Sequence, residues 1–403
     1  MKNIIYIGNF DFPDGNAAGK RVFGNVKILE ELGFVITLFG ISSKNNEIKS
    51  LRQSKEIIGK HITYRFSKKQ NLLNYLMDKN INCFFDILEK EIKPVNIEAI
   101  IYYGTVTTSL FLRRLFKFAR KNSILIIGDT ADILSYSTKN IIFNCIKRID
   151  SSIIRHYHKN TDGLIVISKY LQQKYSSKRT ILIPPLSEKY ESGINHILSK
   201  NIKFIYSGMP FRKNHVTKYE DLKDRIDIVF DALAISKRNG VKFHFDFFGF
   251  DKLEILTSLP KLRNSIEYLN DFVSFHGFVD NEKVLEFVHK ADFMVLIRNS
   301  TLQSNAGFPT KVSESINCGT PVITTMTSDI ALYLTEGKHV LYVEDSVDSL
   351  VNTIDKISID YKNIVKNMKQ ECSQVDSFTP NKYVNEMKLF FETIKRERGN
   401  KYD

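Results

Sequence analysis

Short runs such as NIIYIG, FVITLFG, EAIIYYG, SILIIGD and GLIVIS are apolar along nearly their whole length, so strands built from them have no face to give to water. That pattern belongs to parallel sheets covered by helices on both sides. Between the runs lie AGKRVFGNVKILEELG, NYLMDKNINCFFDILEKEI and TTSLFLRRLFKFARK, where apolar residues recur three and four apart, the spacing of a helix with one buried face. The alternation starts afresh at KFIYSG and continues through KFHFDFFG, VSFHGF, ADFMVLI, PVITT and VLYVE, with RIDIVFDALAISKRNG and NEKVLEFVHK among the helices between. The fold class expected is α/β, with two doubly wound domains.

At 403 residues the chain is long enough for two separate cores. Their join is expected in ILIPPLSEKYESGINHILSKN, where Pro184 and Pro185 end any helix or central strand and polar residues follow. The expected division is an N-terminal domain over 1–190 and a C-terminal domain over 191–378. A final amphipathic helix within 379–403, NKYVNEMKLFFETIKRERG, is expected to pack back toward the first domain.

The formal net charge is +13, and it is concentrated in one half. Residues 1–190 hold 30 Lys and Arg against 16 Asp and Glu, a net of +14, while the remainder is near neutral at −1. Such asymmetry fits a polyanionic partner, an anionic membrane or a lipid-linked phosphate, and equally a solvated lysine-rich surface. FLRRLFKFARK sets Leu112, Leu115, Phe116 and Phe118 among Arg113, Arg114, Lys117, Arg120 and Lys121. It reads as an interfacial helix on anionic lipid, or as a core-facing helix with a basic outer side. The lack of an RNP-type motif or helix-turn-helix argues against nucleic acid. No apolar run is long enough to span a bilayer, and MKNIIYIGNF reads as a strand rather than a signal peptide. Cys83, Cys145, Cys318 and Cys372 are too scattered for a disulfide framework or zinc site, and His156 and His158 read as surface residues. The location expected is cytoplasmic or peripheral at the inner face of the plasma membrane.

The densest local signal is NAGFPTKVSESINCGTPVITT, residues 305–325. Asn305, Ala306 and Gly307 read as a small-residue loop that lets a ligand approach the backbone. Pro309 suits a first helical position, and the helix is expected to reach Asn317, with Gly319 ending it. Lys311 and Glu314, three apart, share a face near the helix start, where free N–H groups and the dipole favour phosphate. A carboxylate one turn on can accept hydrogen bonds from ribose hydroxyls. An ordinary surface pair of lysine and glutamate fits the same spacing.

That segment resembles the C-domain signature of family 4 glycosyltransferases, the retaining GT-B enzymes that use nucleotide sugars and are built from two Rossmann-like domains facing across a cleft. Gly307-Phe308, Glu314 and CGTPVIT keep the pattern, while Ala306 stands where the family usually has its first glutamate. IGNFDFPDGNAAGKRVFGNVKILEELGFVITLFG, DGLIVISKYLQQKY, YSG with LKDRIDIVFDALA, and VSFHGFVDNEKVLEFVHKADFMVLI are similar to other family segments, so the resemblance spans nearly the whole chain. It implies a donor site at Gly208, Arg298, Asn305, Ala306, Gly307, Phe308, Thr310 and Lys311. Lys223 would neutralise the donor diphosphate, with Arg298 or Arg212 as its partner, and Glu314 would hold the ribose.

Gly15, Asn16 and Ala17, between the first strand and first helix, would offer N–H groups to a diphosphate or sugar, or simply form a strand-to-helix turn. Many relatives carry a histidine where this chain reads LIIGDTADILSYS. Asp129 and Asp132 are the candidates there for orienting a hydroxyl or acting as base, with helix capping as the alternative for one of them. The sequence contains no Asp-x-Asp, HExxH or Cys/His cluster, so no metal and no cofactor beyond the nucleotide-sugar substrate is expected. The acceptor implied is a saccharide or polyprenyl-linked glycan, as in bacterial surface polysaccharide assembly. A non-catalytic GT-B subunit serving a partner enzyme, or a nucleotide-sugar epimerase, are the rival functions.

Overall fold

A computed structural model describes residues 2–41, 51–66, 79–104, 109–133, 141–176, 178–191, 198–211 and 215–399. The chain divides into two compact units, Met1–Leu186 together with Pro380–Asp403, and Ser187–Thr379. The first unit thus ends directly after the Pro184–Pro185 pair and takes the C-terminal helix, Val384–Gly399, as its own.

In the first unit the strands are β1 (Asn3–Gly8), β2 (Val35–Ile41), β3 (Glu56–Ile58), β4 (His61–Phe66), β5 (Ile97–Tyr103), β6 (Leu125–Thr130), β7 (Gly163–Val166) and β8 (Thr180–Leu182). They form one sheet in the order β3-β4-β2-β1-β5-β6-β7-β8. Only the β3–β4 pair is antiparallel. Alternate residues of β1 feed opposite faces, as strand geometry requires. Ile4 and Tyr6 join Val22, Val26 and Leu29 of the helix Ala17–Glu31 and Met387, Phe390, Phe391 and Ile394 of the C-terminal helix. Ile5 and Ile7 join Phe39, Phe84 and Leu115 on the other side. Both faces are therefore dry, which is why these strands read as unbroken apolar runs.

The helix Ser109–Lys121 settles one of the two readings of FLRRLFKFARK. Phe111, Leu112, Leu115, Phe116 and Phe118 are all buried in this second core, at 0–7% exposure, so these apolar side chains are core. The core-facing reading is the one this packing shows, with a basic outer side. Arg113, Arg114, Lys117, Arg120 and Lys121 are exposed, and the guanidinium of Arg114 lies 4.7 Å from the Phe85 ring centre. His158 also departs from expectation. It is buried between Tyr102 and Tyr175, and burial holds its imidazole down at about 4.

The second unit has six strands, β9 (Ile202–Ser207), β10 (Phe243–Phe248), β11 (Val273–Gly277), β12 (Phe293–Leu296), β13 (Val322–Thr325) and β14 (Val340–Val343). Their order is β11-β10-β9-β12-β13-β14, with every pair parallel. Order reverses between β9 and β12, and in open α/β sheets ligands bind outside the strand C-termini at such a switch point. Asn317, at the end of the helix Thr310–Asn317, donates through Nδ2 to the carbonyls of Ser187 (2.8 Å) and Phe378 (3.0 Å). One side chain thus pins the first and last segments of this unit together.

Candidate functional site

At the C-terminal ends of β9 and β12 the second unit gathers an acid and three cations. Asp224 is the centre, with a side chain only 2% exposed. Its Oδ1 accepts from Arg298 Nε at 2.7 Å, and its Oδ2 accepts from Lys311 Nζ at 2.5 Å and Tyr206 Oη at 2.7 Å. Burial pushes the Asp224 carboxyl up, but Lys311 and Arg298 outweigh it and hold the group well below the usual carboxylate range. Burial lowers the Lys311 ammonium, Asp224 opposes that, and Arg298 and Lys223 push it further down. Lys223, exposed on the same loop as Asp224, is the third cation. With three cations and one carboxylate, the cluster is electropositive.

Each member is held by its own element. Arg298 follows β12, and its backbone is clamped to β13 by Thr325 Oγ1, which accepts from Arg298 N (3.0 Å) and donates to its carbonyl (2.8 Å). Lys311 stands in the first turn of the helix Thr310–Asn317, and its Nζ lies 4.8 Å from the Tyr206 ring centre. The 223–225 loop is tied down by Arg225, whose N–H donates to Ile297 O (2.8 Å) and whose guanidinium grips Asp227 and Asn299. Arg298 commits Nε to Asp224, and its two amino groups make no hydrogen bond among the described residues, although the side chain is only 9% exposed. A fork of N–H donors held in this way suits a phosphate.

The backbone beside the cluster is bare. Gly208 (φ 156°) and Gly249 (φ 116°) end neighbouring strands, and Gly208 N donates to Phe248 O at 3.1 Å. A Cβ on Gly208 would lie 2.2 Å from Lys311 Cε and Nζ, and one on Gly249 would lie 2.0 Å from Gly208 O. Only glycine lets these strand ends lie so close to each other and to the lysine.

The structure thus brings together Gly208, Lys223, Arg298 and Lys311, with the half-buried Glu314 one turn further along the Lys311 helix. Other sequence candidates are placed differently. Asn305 and Ala306 belong to a short helix, Leu302–Ala306, started by a Thr301–Ser304 capping box, and not to the expected loop. Ala306 is fully buried, and Asn305 Oδ1 accepts from Ser328 N at 3.0 Å. Gly307 caps that helix, and its carbonyl accepts from Ser328 Oγ. Phe308 packs against Tyr333 and Phe378 at 5.7 Å each, so its side chain is core and not ligand surface. Thr310 opens the Lys311 helix, and Pro309 caps it one position earlier than expected. Arg212 lies outside the described residues.

In the first unit Asn16 is the N-cap of the helix Ala17–Glu31, its Oδ1 accepting from Gly19 N at 2.7 Å, while Gly15 N donates to Asp11 O at 3.0 Å. That is the strand-to-helix turn of the plainer reading, with Ala17 exposed as its first helical residue. Asp129 needs a firmer correction. It lies on β6 with its side chain fully enclosed, so it is neither an N-cap nor accessible to a substrate. Arg21 donates to its Oδ1 from Nε (2.9 Å) and Nη2 (2.7 Å), and Tyr6 Oη (2.5 Å) and Asn25 Nδ2 (3.1 Å) donate to its Oδ2. Burial and the Asp129 charge push the Tyr6 hydroxyl well above its ordinary range. Asp132 is exposed, its carboxylate accepting from Ile133 N at 2.7 Å.

Sequence reasoning missed Asp224 and Tyr206. The available signal was a tyrosine two residues before Gly208, and an acid directly after Lys223. Both are ordinary until the fold sets them beside Arg298 and Lys311.

Two α/β units, one sheet parallel but for its β3–β4 pair and the other wholly parallel, match the fold of GT-B glycosyltransferases. Residues 218–398 match the family model described as glycosyl transferases group 1. No curated protein matches the chain. Among solved structures, sucrose-phosphate synthase from Thermosynechococcus elongatus aligns with a TM-score of 0.67 at 14% identity, covering 98% of this chain and 100% of that one. Anabaena HepE in complex with UDP aligns at 0.65 and 13% identity, covering 98% and 100%. The same protein in complex with UDP-glucose aligns at 0.62 and 14% identity, covering 99% and 100%.

Proposed function

We propose that this protein is a retaining glycosyltransferase that moves a sugar from a nucleotide sugar to a saccharide or polyprenyl-linked acceptor. The observation that carries this is the pair of Arg298 amino groups that make no hydrogen bond among the described residues, beside Lys311 and Lys223 at the switch point of the second unit. As the sugar–oxygen bond breaks, negative charge builds on the departing diphosphate and positive charge on the sugar ring. Arg298, Lys311 and Lys223 stabilise the departing diphosphate without a metal ion, and Glu314 accepts from the ribose hydroxyls. Gly208 makes room for the Lys311 ammonium beside the phosphates. The match over 218–398 and the complexes of HepE with UDP and UDP-glucose support a nucleotide-sugar donor at this site.

The acceptor falls to the first unit, whose exposed Arg113, Arg114, Lys117, Arg120 and Lys121 form a basic helix face suited to lipid-linked phosphate at an anionic membrane. Contact there is electrostatic, because the apolar side of that helix is core. Among the described residues no helix is long and apolar enough to cross a membrane. The reaction site is then the inner membrane face, in surface polysaccharide assembly. A non-catalytic subunit that positions a partner glycosyltransferase is the second reading. Enclosure of Asp129 and the alanine at 306 favour it, because both remove a side chain expected near the reacting sugar.

Calorimetric titration of UDP, GDP, CDP and TDP into wild type and Glu314→Ala, without metal, separates the two. A transferase binds one nucleotide tightly, and the variant binds it at least about tenfold less well. Absence of binding by all four would refute the enzyme.

A further inference from the structure

A carboxylate at the centre of a phosphate site is costly, since it cancels charge that the ligand needs. Asp224 is nevertheless buried between the two cations that face the diphosphate, as close to each as a hydrogen bond allows. What the site gains is orientation. A guanidinium is planar, so fixing its Nε edge on Asp224 Oδ1 fixes the direction of its two amino groups. Lysine has four rotatable bonds, and in this place its ammonium is repelled by Arg298 and Lys223. Asp224 Oδ2 holds that ammonium, and Tyr206 Oη in turn holds Asp224 Oδ2. The carboxylate cannot easily swing away, because Arg225 anchors its loop through Ile297 O, Asp227 and Asn299.

We propose that Asp224 is a positioning residue for the donor diphosphate: it aims Arg298 and Lys311 and acts through them without touching substrate. The proposal rests on the nucleotide-sugar function above. It also separates this chain's site from a set of free surface cations, because both phosphate-facing groups are preset before a ligand arrives.

Asp224→Asn gives a test with opposed outcomes. The substitution keeps the shape and removes a negative charge, so if Asp224 merely opposed the ligand, a nucleoside diphosphate would bind more tightly. The positioning role requires the reverse. Titration of whichever of UDP, GDP, CDP and TDP binds wild type most tightly is expected to show a loss of at least about tenfold in Asp224→Asn. The same loss should be smaller when Arg298→Gln is already present, because one of the two paths from Asp224 to the phosphate, the one through Arg298, is then broken. In the variant, the fall of affinity as pH rises should also set in at lower pH than in wild type. Without Asp224, a half-buried Lys311 beside two cations gives up its proton sooner. A purely structural role would change neither the coupling nor the pH profile.

Equal or tighter binding by Asp224→Asn, or an undiminished loss in the Arg298→Gln background, overturns the proposal while leaving the donor site standing. If wild type binds none of the four nucleotides, the diphosphate reading and this proposal fall together. Should Asp224→Asn not fold, Tyr206→Phe carries the test, since it removes only a hydroxyl, which donates to Asp224 at 2.7 Å and accepts a longer bond from Lys311 at 3.4 Å. A loss of about two- to fivefold is expected there, and unchanged affinity overturns the proposal.

Discussion

Asp129 was, with Asp132, a candidate for chemistry in the first unit, and the structure makes it a support of the fold. Asp129→Ala decides between the two. In the native unit the carboxylate is fully enclosed, its charge balanced by Arg21, whose side chain is 3% exposed. Removing it leaves a guanidinium buried without a counter-charge, along with the Tyr6 and Asn25 donors that pointed at it. Breaking a buried pair from one side costs about 3–5 kcal/mol. For a domain of this size each kcal/mol lowers the melting temperature by about 2–4 °C, so the first unit should melt about 6–20 °C earlier. Differential scanning calorimetry of the full chain reads this directly. Asp132→Ala, exposed on the adjoining segment, is the control and should stay within about 0.5 kcal/mol of wild type. Arg21→Met combined with Asp129→Leu should be less damaging than either single change, since no charge is then stranded. An Asp129→Ala protein that melts like wild type yet has lost sugar transfer would refute the structural role and return the residue to the reaction.

Gly208→Ala should weaken nucleoside diphosphate binding at least about tenfold, because its Cβ would lie 2.2 Å from Lys311 Cε and Nζ and displace the ammonium; calorimetric titration checks it. His158 supplies a pH dependence. Its folded value of about 4 lies below the ordinary 6.5, so the unfolded chain binds the extra proton first as pH falls. The first unit should therefore lose stability from about pH 6.5 down to pH 4, and His158→Phe should flatten that slope in urea titrations. Truncation after Thr379 removes Met387, Phe390, Phe391 and Ile394 from the first unit's core. The shortened chain should lose that unit's cooperative melting transition and keep that of the second.

The framework was legible because its signal is repeated and local. NIIYIG, FVITLFG and GLIVIS became β1, β2 and β7 because runs this apolar suit a sheet covered on both faces. β3 and β4 were passed over: HITYRF is mixed in polarity, as befits strands near a sheet edge, where the third pairs antiparallel. The helix Leu302–Ala306 was hidden by its small polar residues, and only the Thr301–Ser304 capping box gives it a start. Within the site, Lys311 and Glu314 could be read because helix starts have spacing rules, and Gly208 came from the family resemblance. Asp224 and Tyr206 could not, because their importance lies in contacts across 18 positions with each other and 74 or more with Arg298 and Lys311. Asp129 was misread for the same reason, its partner Arg21 being 108 positions away.

The most direct measurement is a crystal structure of the protein with whichever nucleoside diphosphate binds most tightly. Its diphosphate oxygens should accept hydrogen bonds from the Arg298 amino groups and Lys311 Nζ, with the ribose hydroxyls on the Glu314 carboxylate and Asp224 still seated between the two cations. A nucleotide found elsewhere on the molecule, with Arg298 and Lys311 making no contact to phosphate, would contradict the account.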